Sequence, residues 1–172
     1  MTPPARYRLI GFALAVAVFI ADQAVKAAML GPLALREVGV IDILPFFDFR
    51  WTENYGVSLG LFTAQSDFGR WVLVAVTATI AAVVTVWLLR ERKLGDIVPL
   101  GLILGGALGN ITDRVRLGHV IDYADLHFGD FRPFMIFNLA DAAITFGVLI
   151  ILARSLLSRE KPREPANPAP ES

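Results

Sequence analysis

Seven residues capable of chemistry stand within or at the ends of strongly apolar stretches: Asp22, Lys26, Asn110, Asp113, Asp122, Asn138 and Asp141. An ionisable side chain at bilayer depth costs roughly 2.5–3.5 kcal/mol on insertion scales, so each needs a physical reason to be there. Asp22 and Lys26 are four residues apart and can pair on one helix face; Asn110 with Asp113, and Asn138 with Asp141, are three apart and also share a face. Asp141 has no basic residue within two turns, and a buried unpaired carboxylate must take up a proton or share one with another carboxylate. Asp122, nine residues beyond Asp113, is near enough in sequence to fold back toward Asp141. Two carboxylates sharing one proton can hydrolyse a peptide bond: one activates water and the other protonates the carbonyl or leaving group. The spacing equally permits a proton-coupled carrier with an aspartate relay. It also permits a non-enzymatic assembly factor in which the polar groups are interhelical glue, and Asp22 with Lys26 reads as a structural ion pair.

The elements that must position these residues are membrane spans. The 172 residues are 55% hydrophobic and 19% charged, with a mean hydropathy of +0.58, against about 25% charged in an ordinary soluble domain. Four stretches are apolar enough to cross a bilayer, approximately 9–30, 70–89, 97–114 and 134–157, each near the ~20 residues a spanning helix requires. A cleavable secretory signal is an alternative for the first, since Arg6 and Arg8 precede a short apolar core. No small-x-small site follows it, and the apolar character resumes through Leu30, which favours an uncleaved span. At ~1.5 Å per residue, Asp22 lies roughly 20 Å along the first span, Asp113 roughly 24 Å along the third and Asp141 roughly 10 Å into the fourth. All three fall in the outer third, where they could meet. Gly101, Gly105 and Gly109 recur at four-residue intervals, the small-residue pattern that lets helix backbones approach closely.

Four spans put both termini on one side, and the short basic loop Arg90-Glu91-Arg92-Lys93 chooses the cytoplasm, with Arg6, Arg8, Arg154, Arg159, Lys161 and Arg163. Between the first two spans, an outer-surface β region over approximately 36–62 is expected. Phe47-Asp48-Phe49-Arg50-Trp51-Thr52 alternates apolar and polar, and Val38-Gly39-Val40-Ile41 reads as a second short strand. Its aromatic face is expected to turn toward lipid headgroups. The segment 115–133 reads as an amphipathic loop, a short helix or lid. Residues 1–157 form a single membrane domain, and 158–172, with four prolines, a disordered cytoplasmic tail.

Other chemistries are set aside. Zero net charge leaves no footprint for nucleic acid, and the absence of cysteine removes disulfides and thiolate metal sites. There is no H-E-x-x-H, and His119 and His127 read as interfacial polar residues, so neither metal nor cofactor is expected. Gly56-Val57-Ser58-Leu59-Gly60 matches the nucleophile elbow by chance, because no α/β sheet surrounds it.

Five boxes in order resemble one family, the lipoprotein signal peptidases (signal peptidase II) of bacteria: Asp22-Gln23-Ala24-Val25-Lys26; Asn54-Tyr55-Gly56 with Gly60 and Phe62; Gly109 to Arg114; Val120-Ile121-Asp122-Tyr123; and Phe137-Asn138-Leu139-Ala140-Asp141. The resemblance runs from about Arg6 to Leu157. It implies a multi-pass aspartic endopeptidase of the bacterial inner membrane, expected to act as a monomer among membrane lipids. Its substrates would be diacylglyceryl-modified prolipoproteins, cut just before the lipidated cysteine near the outer leaflet. Carried over residue by residue, Asp122 and Asp141 would be the catalytic dyad. Asn54, Gly56, Asn110, Asp113, Arg114, Asn138 and Ala140 would shape the site and hold substrate backbone, with Asp22 and Lys26 supporting the fold.

Overall fold

The computed structural model describes residues 3–56 and 67–158. Gly60, Phe62, most of the Gly56–Gly60 pattern and the proline-rich tail beyond Ser158 lie outside the described residues. In chain order the elements are α1 (Pro3–Leu30), α2 (Leu35–Val38), β1 (Val40–Leu44), β2 (Phe47–Asn54), α3 (Asp67–Arg90), α4 (Leu94–Leu117), β3 (Val120–Leu126) and α5 (Leu139–Ser158). Helices α1, α3, α4 and α5 are each long and apolar enough to cross a membrane. The chain is a four-span membrane protein carrying a small antiparallel sheet.

Helix α4 is the axis of the bundle. Within its span 61% of residues are buried, against 17–22% in the other three, so its neighbours are protein and theirs are largely lipid. The glycine row explains how α1 comes so near. A methyl on Gly101 would stand 2.6 Å from the Gly11 carbonyl oxygen, and one on Gly105 2.5 Å from that of Ala15. Both are closer than real carbon atoms approach a backbone. On its remaining sides α4 packs Leu100, Ile103, Leu104 and Ala107 against Ala81, Val84 and Leu88 of α3, with Ile151 of α5 at the margin.

Two contacts tie the chain at the end of the bundle where α1 begins. The Arg8 Nε donates to the Glu91 carbonyl at 3.3 Å, and Arg154 near the end of α5 meets Asp96 at 2.8 Å. The N-terminus, the α3–α4 turn and the end of α5 therefore share one end, as four antiparallel spans require.

The sheet, in the order β1-β2-β3, occupies the opposite end. Its third strand corrects the reading of 115–133 as a helix or lid: Val120–Leu126 is a strand paired antiparallel to β2, with Thr52 opposite Asp122 and Asn54 opposite Val120. The alternation that marks a strand is missing because six of its seven residues are buried. Its outer edge is covered in part by Phe137, which exchanges backbone hydrogen bonds with Ala124 at 2.8 and 3.1 Å. The aromatic face is also corrected. Phe47, Phe49 and Trp51 turn inward onto Met29, Leu35, Ile121, Tyr123 and Ala124, and Phe49 meets Tyr123 edge-on at 6.1 Å. These three half-buried rings pack the sheet against the end of α1.

The fourth span starts later than its apolar run suggests. Residues 134–137 belong to the strap returning from β3, and the helix begins at Leu139. Asp141 consequently stands in the first turn of α5, at its very end, rather than roughly 10 Å into it.

Replacing Gly105 by valine should force α1 from α4 and cost about 1–3 kcal/mol. Thermal unfolding in detergent measures this; an unchanged midpoint would show that the glycine row does not set the helix separation.

Candidate active site

The site is assembled from the N-terminal end of α5, where four backbone N–H groups have no partner inside the helix. Leu139 N–H donates to the Tyr123 hydroxyl at 3.1 Å, Ala140 N–H to Asp22 Oδ1 at 3.0 Å and Asp141 N–H to Asn138 Oδ1 at 2.9 Å, while Ala142 N–H makes the first bond of the helix itself, to the Asn138 carbonyl at 3.1 Å. Asn138 is the N-cap, and Asp141 answers it: its Oδ2 accepts from the Asn138 N–H at 3.3 Å. This reciprocal pair is a capping box, with Asn and Asp in place of the commoner Ser/Thr and Glu. The three-residue spacing of Asn138 and Asp141 thus has a purpose that face-sharing does not convey. It anchors one oxygen of Asp141 to the start of its own helix.

The other oxygen, Oδ1, accepts from Asn110 Nδ2 at 2.7 Å. The orientation of that amide is set from behind, because Asn110 Oδ1 accepts from Lys26 Nζ at 3.3 Å. Lys26 is 2% exposed. Its ammonium also touches Asp22 at 2.9 Å and Asp113 at 2.6 Å, so three donors meet three acceptors. Gln23, passed over in the sequence apart from its place in the first box, spans the same two carboxylates at 3.2 and 3.0 Å. Asp113 further accepts from the Ile121 N–H at 3.3 Å, fastening β3 to α4. A methyl on Gly109 would come within 2.5 Å of Asp22, so glycine is required for the carboxylate to lie there.

Asp113 is therefore the partner of Lys26 rather than of its neighbour Arg114. The Arg114 guanidinium donates weakly to the Asn110 carbonyl at 3.5 Å, and its buried Nε has no hydrogen-bond partner among the described residues. It lies within electrostatic reach of Asp141, Asp122 and Asp113. Ala140 is fully buried, and its closeness to Gly109 makes it a packing residue between α5 and α4.

Asp122 enters from β3. Its Oδ1 accepts from Asn138 Nδ2 at 2.6 Å and its Oδ2 from Asn54 Nδ2 at 2.9 Å. Asn54 reaches it because β2 carries an extra residue between Phe49 and Thr52, a bulge that advances the end of the strand. The Asn54 amide is held by its own turn: its Oδ1 accepts from the Gly56 N–H at 2.8 Å, and Gly56 adopts φ +95°, where glycine is favoured. Burial pushes the Asp122 carboxyl up from its ordinary 3.8 to about 6, opposed by the Asn54 hydrogen bond and reinforced by the Asp141 charge. Tyr123 beside it is likewise pushed up by burial, to about 12, so it stays a neutral hydroxyl at physiological pH.

Asp122 and Asp141 are thus separated by one shared residue. Asn138 holds Asp122 with its side chain and Asp141 with its backbone, and Asn110 accepts from Asn138 while donating to Asp141. Asp122 is 1% exposed, whereas Asp141 is half-buried. One carboxylate with raised proton affinity beside a second, more accessible one can hold and move a proton across the short space between them. Among the described residues no group of three or more His, Cys, Asp or Glu is arranged to hold a metal ion.

The sequence model of a family described as Signal peptidase (SPase) II matches residues 14–157. The chain belongs to the signal peptidase II family. It is 58% identical over 160 residues to a lipoprotein signal peptidase of Rhizorhabdus wittichii, covering 93% of this chain and 92% of the relative. It is 54% identical to that of Sphingopyxis alaskensis, covering 90% of each. Two solved bacterial membrane enzymes share the fold. One superposes with a TM-score of 0.76 at 26% identity, over 92% of this chain and 94% of its own; the other with 0.74 at 27%, over 88% and 94%. Membership makes the chain a protease of the membrane and leaves the carrier reading without support.

The raised proton affinity of Asp122 has a consequence for stability. Between pH ~4 and ~6 the folded chain binds more protons at this site than the unfolded one, so stability falls as pH rises through that window and levels above it. The difference between 3.8 and about 6 corresponds to about 3 kcal/mol. The unfolding midpoint of Asp122→Asn, which cannot ionise there, should rise relative to wild type between pH 4 and 6.5. A midpoint difference independent of pH would contradict the raised affinity.

Proposed function

We propose that Asp122 and Asp141 are the catalytic dyad of an aspartic endopeptidase that removes the signal peptides of diacylglyceryl-modified prolipoproteins. The cut falls just before the lipidated cysteine. The observation that carries this reading is the capping box of α5, which holds Asp141 while the same asparagine binds Asp122. In the reaction the two carboxylates hold one proton between them. The ionised carboxylate takes a proton from a water as its oxygen attacks the scissile carbonyl. The protonated one hydrogen-bonds the carbonyl oxygen and stabilises the tetrahedral intermediate. On collapse the proton goes to the leaving amine nitrogen, the C–N bond breaks, and the dyad is again singly protonated. Asn54, Asn110 and Asn138 keep the carboxylates aimed, and the unsatisfied Arg114 Nε is available to a substrate carbonyl.

The setting is the bacterial inner membrane, with both termini cytoplasmic. This is supported by the basic α3–α4 turn and by the shared end of Arg8, Glu91, Asp96 and Arg154. The site then lies toward the outer leaflet, the depth at which a signal peptide with a short apolar core presents its cleavage point.

Asp122→Asn and Asp141→Asn should each lower cleavage of a lipidated prolipoprotein by at least about 10²–10⁴-fold, the span attributed to acid–base groups. The variants should remain inserted and folded. The substrate's mass shift reads the outcome, and normal cleavage by either variant would refute the assignment.

A further inference from the structure

The strands end, away from the dyad, in an apolar ridge that the peptidase reading does not use. Leu44, the last residue of β1, and Phe46, in the β1–β2 turn, are 47% and 45% exposed. The strap after β3 joins them directly, because His127 N–H donates to the Phe46 carbonyl at 3.0 Å. Phe128 and Phe131 then pair backbone to backbone at 2.8 and 3.3 Å about a turn in which Gly129 takes φ +63°. That pairing splays both rings outward, at 59% and 66% exposure, and Phe134 and Met135 follow at 62% and 88%. The aromatics of β2 are half-buried against the core, whereas these four side chains stand well out of it.

What covers the ridge follows from its neighbour. Met135 is four residues before Leu139, the first residue of α5, so it lies within about 14 Å of the helix start. The outer face of α5 displays Phe146, Leu149 and Leu152, each more than half exposed, as a span facing lipid must. The ridge therefore lies within reach of the end of α5, whose exposed apolar face is the one a span turns to lipid. Of its charged neighbours, Arg132 and Arg50 are paired on the buried Asp125 at 3.1 and 2.8 Å and His127 on Asp48 at 2.9 Å, while Asp130, exposed in the turn between Phe128 and Phe131, must stay at headgroup level and so limits how deep the turn can go.

We propose that the Leu44–Phe46 segment and the Phe128–Met135 strap insert together into the outer leaflet as a wedge at the end of the sheet away from the dyad. The wedge fixes the height of β3, and with it Asp122, relative to the lipid. This goes beyond the dyad assignment and does not depend on it.

The chain has no cysteine, so Phe131→Cys and Met135→Cys each create a single labelling site. Carrying an environment-sensitive fluorophore, in liposomes of phosphatidylethanolamine and phosphatidylglycerol, both positions should be quenched several-fold more by lipids spin-labelled high on the acyl chain than by aqueous iodide. A label at exposed Asp42→Cys, opposite Asp48 on β1, should show the reverse. Iodide quenching at 131 and 135 equal to that at 42 would overturn the proposal. Protection from both quenchers, with cross-linking between chains, would also overturn it by making the ridge a contact between copies. Prolipoprotein cleavage by each labelled variant verifies its fold. The same labels placed on Asp122→Asn should give the same quenching, so failure of the dyad assignment would leave this test intact.

Discussion

Everything in the site hangs on one buried ammonium. Lys26 is sealed among Asp22, Asp113 and the Asn110 amide, and each acceptor belongs to a different structural task. Asp22 caps α5, Asp113 fastens β3, and Asn110 orients Asp141. A buried ion pair is weak evidence for stability, since desolvation offsets much of the attraction. Its value here is geometric. Three acceptors around one cation fix the relative positions of α1, α4, α5 and β3 with a directionality that apolar packing alone does not supply.

The same arrangement explains the composition of α4. A helix surrounded by protein cannot rely on lipid to cover bulky side chains, and it must admit both the α1 backbone and the Asp22 carboxylate. Glycine at 101, 105 and 109 satisfies both demands. The polar residues then follow within one turn of the last glycine. Close helix approach and chemical function are thus written on a single strip of α4, and the exposed outer faces of α1, α3 and α5 are left to the bilayer.

Much of this was legible in the sequence because charges inside apolar runs are costly and therefore meaningful. The four spans, the Asp22–Lys26 pair and the convergence of Asp22, Asp113 and Asp141 toward one end could be read from depth and spacing. Three things could not. The strand at 120–126 lacks alternation, because helices, β2 and the Phe137 strap leave it few exposed positions. The start of α5 was misplaced because Phe134 to Phe137 are as apolar as a span while serving the strap and the sheet edge. Gln23 and Tyr123 were passed over as individual sites, since their contribution is to partners distant in sequence: Gln23 to Asp113, Tyr123 to the first N–H of α5. Their places inside two of the family's boxes were the available signal. The capping box could have been found, as Asn-x-x-Asp at the head of an apolar run is a helix-start pattern.

Asp122, buried yet held by two asparagine amides, is proposed here as one half of the catalytic pair. Its most direct test is the pH dependence of kcat/KM for prolipoprotein cleavage, which reports ionisations of the free enzyme. Asn54 stabilises the charged form of Asp122, so removing its amide must raise the proton affinity further. The wild-type profile should show an inflection near pH 6 that moves upward in Asn54→Ala. A profile flat between pH 5 and 8, or an inflection unmoved by that substitution, would contradict it.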